Sequence, residues 1–111
     1  MLHNIELEAE LLSHLLFDNQ LVDKITDHVA ATDFSMPHHA RIFTAICSEV
    51  MQGGTANAIT LKSYFDSEDD VKAFGGAKYL AELSGMMPFG GAVDAGKQLA
   101  RLARRRDMQS G

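Results

Sequence analysis

Cysteine and long apolar runs are the two features that this sequence most clearly lacks. Cys47 is the only cysteine among 111 residues, so no disulfide can form within the chain. A lone thiol is typical of cytoplasmic proteins. No unbroken apolar run approaches the ~20 residues that a membrane-spanning helix needs, and the N-terminal stretch MLHNIELEAE is acidic, unlike a signal or transit peptide. We therefore expect a cytoplasmic protein that makes no contact with a membrane.

Basic residues are scarce over most of the chain. Residues 1–96 hold 14 acidic and 5 basic side chains, a balance of −9, whereas residues 97–111 hold 5 basic and 1 acidic. An acidic surface repels a phosphate backbone. Nucleic-acid binding by the main part of the chain is therefore disfavoured. Two interpretations of its charge stay open, a basic protein partner or solubility alone.

Motifs for metal binding are also missing. The five histidines include no pair spaced four residues apart, and neither HExxH nor CxxC occurs. Of the adjacent pair, His39 falls on the apolar side of a predicted helix, so we expect a hydrogen-bonded core residue there and a solvated side chain at His38. The sequence predicts no metal, no cofactor and no catalytic residue.

One segment has the spacing of a phosphate-binding loop. Residues 91–98, GAVDAGKQ, match GxxxxGK, but Gln98 stands where the motif needs a serine or threonine to hold Mg²⁺. No buried strand enters the segment, because the residues before it read MMPFG. We interpret the match as fortuitous. Nucleotide hydrolysis at this segment is the enzyme alternative.

The best-bounded segment is a helix over about residues 37–52. Pro37 suits the first turn of a helix, and the Gly53-Gly54 pair suits its C-terminal cap. Between them the apolar residues recur every three or four positions, which predicts one broad buried stripe. They are Ile42, Phe43, Ile46, Cys47, Val50 and Met51. We take this helix as the centre of the core.

The other predicted helices are mostly shorter. Periodicity places them at residues 5–17, 20–30, 57–65, 77–84 and 92–107. Asn4 and Asn57 are predicted N-caps, residues 67–70 form an acidic turn, and Gly96 weakens the last helix. There is no convincing strand. The predicted fold is all-α, a compact bundle of five to seven short helices around the helix at 37–52.

Six residues near the C-terminus are candidates for contact with a partner protein. They are Met86, Met87, Phe89, Arg101, Arg104 and Arg105. The methionines and the phenylalanine fall in a predicted loop, where they form an adaptable apolar surface. The arginines cluster towards a helix C-terminus, where they either complement the helix dipole or bind a partner.

The apolar side of the last helix is a candidate for self-association. This side comprises Val93, Leu99, Ala100 and Ala103, and Val93, Leu99 and Ala103 are the residues predicted to contribute to self-association. A terminal helix has few neighbours in its own chain, so we expect this side to find its cover on a second copy.

Short motifs follow one another in a specific order over residues 2–90. They are Asn4-Ile5-Glu6-x-Glu8, Leu15-Leu16-Phe17-Asp18-Asn19, Asp33-Phe34 with His39, Ile42 and Phe43, Ile59-Thr60-Leu61, and Gly75-Gly76-Ala-Lys-Tyr79-Leu80-Ala81-Glu82-Leu83 followed by Pro88. Each is weak alone, but the ordered set is specific. On these residues the chain resembles the N-terminal domain of the bacterial replicative DNA helicase of the DnaB type.

The resemblance implies an all-helical head, residues 1–91, that dimerises and builds a collar on a hexameric ring where primase docks. It places the ATPase motor in a separate C-terminal domain, which implies that this chain is not an enzyme. Residues 92–111 resemble a truncated or degenerate first arm of the family's helical hairpin, with Gly96 where the family has an inward tyrosine.

The function that the resemblance predicts is a non-catalytic assembly and interaction domain for DNA replication. Its partners would be further copies of itself and a primase or helicase loader, with DNA reached only through the parent helicase. The alternative is a small nucleic-acid-binding module that uses the C-terminal arginine cluster.

Overall fold

The computed structural model describes residues 5–65, 77–86 and 90–110. Its helices are α1 (Ile5–Phe17), α2 (Val22–Thr26), α3 (Pro37–Met51), α4 (Lys62–Phe65), α5 (Ala77–Ser84) and α6 (Ala92–Ser110). No strand occurs within the described ranges, and the predicted all-α fold is confirmed. None of the helices described is both long enough and apolar enough to cross a membrane. The predicted cap Asn4 and the acidic turn at 67–70 lie outside the described residues.

The core is built around α1 and α3, which lie side by side and run in the same direction. Near their N-termini, Glu8 of α1 contacts His39 of α3; beyond their C-termini, the side chain of Asn19 bonds the backbone of Ala56 at 2.8 and 3.1 Å. The fully buried side chains of this pair are Leu11, Leu12, Leu15, Ile42 and Ile46. Helix α1 also packs against α5 and α6.

Both ends of α3 follow from the residues that bound it. Pro37 occupies the first turn, where a missing N–H leaves no hydrogen bond unmade. After Met51 the chain leaves the helix at Gly53, whose φ of +86° is the left-handed conformation that favours glycine. The N–H of Gly54 then donates to the carbonyl of Glu49 at 3.0 Å, satisfying an end of the helix. The predicted bounds of this helix are confirmed.

Two of the predicted helices are shorter than periodicity suggested. In place of one helix over 20–30, a 3-10 turn at Asn19–Leu21 leads into α2, which ends at Thr26. The chain turns there because the Ile25 carbonyl accepts from both His28 and Val29, and this turn directs Val29 into the core. In place of a helix over 57–65, Asn57 caps a turn, and α4 begins only at Lys62.

Helix α6 crosses α1 and α2 and ends near the 3-10 turn Ala31–Asp33. Gly96 sits at its contact with α2, where an added Cβ would lie 3.1 Å from Val29 Cγ2 and 3.4 Å from Ile25 Cδ1. The glycine therefore lets two backbones approach closely, and the helix continues through it. Further along, the Arg106 guanidinium donates to the Asp33 carbonyl at 2.7 Å.

Candidate functional site

A buried polar cluster joins α1, α3 and α5. The Glu8 carboxylate and the His39 ring have no exposed surface, and Tyr79 is half-buried beside them. His39 Nδ1 lies 2.9 Å from Glu8 Oε1, and His39 Nε2 lies 2.6 Å from the Tyr79 hydroxyl. Residues 31 and 40 positions from His39 along the chain thus meet on its two ring nitrogens.

Glu8 also caps α3 from another helix. The N-cap residue of α3, Met36, makes no side-chain cap of its own. Instead, Glu8 Oε2 accepts from the N–H of Ser35 at 2.9 Å and from its hydroxyl at 2.5 Å, and the N–H of Met36 lies 3.4 Å from Oε1. A negative charge is favourable at a helix N-terminus, where free N–H groups carry partial positive charge.

The hydrogen bonds define the roles of the His39 nitrogens. A carboxylate has only acceptors, so Nδ1–H donates to Glu8. In the neutral ring Nε2 accepts from the Tyr79 hydroxyl, and in the protonated ring it donates to the same oxygen. Both nitrogens therefore have partners in either state, and His39 is the hydrogen-bonded core histidine that the sequence predicts.

The electrostatics of the cluster favour a charged Glu8 and a neutral Tyr79. Burial alone raises the pKa of the Glu8 carboxyl, but hydrogen bonds from His39 and Ser35 outweigh it and lower the pKa from 4.5 to about 2. The pKa of Tyr79 is raised by burial and by repulsion from Glu82 and Glu8. A tyrosine held protonated is a poor nucleophile. The cluster is suited to joining three helices.

The expectation that His38 is solvated is wrong. Its side chain is 2% exposed. The ring packs against that of His39, with centroids 4.2 Å apart, and edge-on against Tyr79 at 5.3 Å. Helix α5 covers the start of α3 through Tyr79, and a sequence pattern confined to one helix cannot show that cover.

The residues predicted for self-association lie against their own chain. Leu99 is fully buried, Ala103 is 4% exposed and Val93 is half-buried. The expectation that this side of the helix needs a partner for cover is wrong, because α1 and α2 already pack against α6. A direct role of the three residues in self-association stays a prediction.

The predicted partner-contact residues are partly surface residues. Met86 is 39% exposed, and Arg101, Arg104 and Arg105 are exposed along α6. Met87 and Phe89 lie outside the described residues. The Ser13 hydroxyl donates to the Met86 carbonyl at 3.4 Å, which ties the segment after α5 to α1. Within the described ranges, no hydrogen bond or ion pair joins Met86 to Arg101, Arg104 or Arg105.

The segment with phosphate-loop spacing is helical. Residues 92–98 belong to α6, so their backbone N–H groups are directed along a helix and Gly96 faces α2. A phosphate-binding loop needs those groups free in a turn before the helix begins. The interpretation of the match as fortuitous agrees with this geometry. Elsewhere in the described ranges, no three His, Cys, Asp or Glu side chains are grouped to hold a metal ion.

Comparison with known proteins identifies the family. The family model described as "DnaB-like helicase N terminal domain" matches residues 1–100. The chain belongs to this family. Within it, these 111 residues correspond to the N-terminal domain of the helicase.

Curated relatives and a solved structure agree with the family. The replicative DNA helicase DnaB of Buchnera aphidicola subsp. Schizaphis graminum is 33% identical over 86 residues, covering 78% of this chain and 18% of that protein. That of Rickettsia felis is 32% identical over 106 residues, covering 95% and 22%. The chain thus spans about a fifth of the length of these relatives.

The solved structure bears on the fold. The crystal structure of the N-terminal domain of DnaB helicase from Mycobacterium tuberculosis superposes with a TM-score of 0.87, at 23% identity. The match covers 97% of this chain and 79% of that one. At this identity the likeness shows that the two chains share a fold, which supports the all-helical arrangement described above.

The buried cluster brings together residues from three separate motifs of the DnaB resemblance. Glu8, His39 and Tyr79 belong to the first, third and last of those motifs, and Glu8 and Tyr79 each lie within 3 Å of a His39 ring nitrogen. From the sequence, Glu8 was placed only within the first of these motifs, with no partner assigned to it. Its position was a signal nonetheless, because it lies three and four residues before the buried Leu11 and Leu12. A carboxylate on an apolar stripe requires a buried partner.

Proposed function

We propose that this chain is the non-catalytic assembly and interaction domain of a replicative DNA helicase acting in the cytoplasm. It self-associates and offers a surface to primase or a helicase loader, and it meets DNA only through the parent helicase. In this proposal residues 1–91 are the head, and residues 92–111 are a truncated or degenerate first arm of the family's helical hairpin. The observation that supports this most directly is the family match over residues 1–100.

Self-association is tested first with the purified chain. Sedimentation velocity over a wide concentration range is expected to show a sedimentation coefficient that rises with concentration. A coefficient that stays at the monomer value up to the highest concentration would contradict this part of the proposal.

Docking of primase or a loader is tested by charge reversal on α6. The variant Arg101→Glu/Arg104→Glu/Arg105→Glu is expected to weaken binding of either partner at least tenfold, because exposed cations steer and hold an acidic partner. Lys24→Glu/Lys62→Glu is the control, since both lysines are exposed on other helices. Calorimetric titration measures both. Equal affinities would remove the arginines from the contact, and no binding by the unaltered chain would contradict docking.

One observation keeps nucleic-acid binding as the second candidate function. Arg101, Arg104 and Arg105 are exposed, and no ion pair to another described residue is recorded for them. Cations in this state can neutralise phosphates, and binding would then fall steeply with salt. Fluorescence anisotropy with single-stranded DNA at about 50 and 200 mM salt tests it. Absence of binding at the lower concentration eliminates this candidate.

A further inference from the structure

Three large apolar side chains remain in solvent at the surface. Phe17 is 80% exposed, Met51 is 81% exposed and Ile59 is 86% exposed. The other large apolar residues recorded as exposed in the described ranges, Ile5 and Met86, are 44% and 39% exposed. Nothing in the fold of the single chain requires an apolar residue at a position this open.

These side chains lie at the same end of the molecule. Phe17 is the last residue of α1 and Met51 the last residue of α3, and the two helices run in the same direction. Ile59 follows Ala56 by three residues, and the Asn19 side chain holds Ala56 through both its N–H and its carbonyl. We call the surface formed by Phe17, Met51 and Ile59 the apolar end.

The apolar end is also poor in charge, unlike the rest of the chain. Residues 50–61 contain no Asp, Glu, Lys or Arg, and Asp18 is the only such residue between Leu15 and Val22. Two copies of a chain with a net charge of −5 repel each other over most orientations. They repel least when their uncharged ends face each other.

We propose that two copies of the chain associate through their apolar ends. The same patch on both copies gives a two-fold contact, in which apolar side chains meet apolar side chains and Asp18 is the one charged residue of the two segments named. An exposed patch of about 300–600 Å² is often functional. The inference rests on the self-association proposed above and assigns its surface.

The apolar end is tested by sedimentation equilibrium of the purified chain and two variants. Phe17→Ser/Ile59→Ser removes most of the patch and is expected to weaken dimerisation at least tenfold. Ile5→Ser is the matched control, because Ile5 is an exposed apolar residue at the opposite end of α1, and its effect is expected to stay below twofold. Circular dichroism of all three proteins is expected to show the same fold, since the altered side chains are exposed.

Each result has a separate meaning. Equal dimerisation of the unaltered chain and the double variant overturns the role of the apolar end and leaves self-association standing. A monomeric unaltered chain overturns the inference together with self-association, while primase and loader titrations still decide docking. A double variant that dimerises normally but no longer binds primase also overturns the inference, because the end then serves an unlike partner.

Discussion

The two ends of the α1–α3 pair place polar and apolar groups in opposite ways. At the N-terminal end, Glu8, His39 and Tyr79 put charge and hydrogen bonds inside the molecule. At the C-terminal end, Phe17 and Ile59 put large apolar surface outside it. The first arrangement is satisfied by contacts within the chain. The second has no such explanation, which is why it points to another molecule.

The two ends also differ in the property that each should affect, which is stability at the polar end and association at the apolar end. A buried charge is destabilising unless it is paired. Removal of either Glu8 or His39 therefore leaves the other buried without its partner, which lowers the stability of the fold. Exposed apolar side chains carry no such penalty within the monomer and can change without disturbing the fold. The polar end should therefore respond to substitution through stability, and the apolar end through association.

Removal of Glu8 is expected to have the largest effect on stability. Glu8→Ala leaves His39 buried without its acceptor and α3 without its cap, which should lower the free energy of unfolding by about 3–5 kcal/mol. Urea denaturation measures the loss. Glu6→Ala, an exposed carboxylate on the same helix, is the control and should change stability by less than about 0.5 kcal/mol. Similar small losses in both variants would contradict a structural role for the cluster.

Low pH is expected to reduce the stability that Glu8 contributes at the polar end. The pKa of Glu8 in the folded chain is about 2 rather than 4.5, so the folded state favours the ionised carboxylate. The stability this contributes is present above pH 4.5 and is lost as the pH falls towards 2, by about 3 kcal/mol in all. Urea denaturation between pH 7 and pH 3 should show a steeper loss in the unaltered chain than in Glu8→Gln. Parallel pH profiles would contradict the lowered pKa.

At the other end, Asn19 is expected to matter less but to affect both stability and association. Asn19→Ala leaves the Leu15 carbonyl and both backbone groups of Ala56 without this partner. The expected loss is about 1–3 kcal/mol in the free energy of unfolding. Because Asn19 positions the segment that carries Ile59, dimerisation should weaken as well. Gln20→Ala, an exposed neighbour, should change neither quantity.

The smallest effect on stability is expected at Phe17. Phe17→Ala should change the free energy of unfolding by less than about 0.5 kcal/mol, because the side chain is 80% exposed. Two residues earlier, Leu15→Ala should cost about 2–5 kcal/mol, because Leu15 is fully buried. Thermal or urea denaturation compares them. A large loss at Phe17 would mean that its ring packs within the chain and is not available to a partner.

Helix existence and type could be predicted well from the sequence. The bounds of α1, α3 and α5 follow from apolar periodicity and from residues such as Pro37 and Gly53, which act locally. The helices predicted at residues 20–30 and 57–65 are longer than the helices that the structure has there. In both, side chains and backbone groups near the ends make turns that compete with the helix, as Asn57 does with the N–H groups of Ile59 and Thr60.

The surfaces were predicted less well, because exposure depends on what packs above a residue. His38 lies under Tyr79 of α5, and Leu99 lies inside the chain that its helix crosses. The sequence singled out neither Phe17 nor Ile59 as exposed, since apolar residues in helical spacing predict a core. Charge was more informative, because Arg101, Arg104 and Arg105 are on the surface as expected for a basic cluster.

The sequence alone determined what depends on neighbours within a few residues: an all-helical chain, the limits of its main helices and membership of a family recognised by ordered motifs. Tertiary structure decided how distant residues pair. Glu8 became the cap of a helix that begins 29 residues later, and Gly96 became a close contact with α2. It also decided which apolar side chains were left uncovered. These outcomes depend on the relative placement of whole helices, about which the local periodicity of the sequence carries no information.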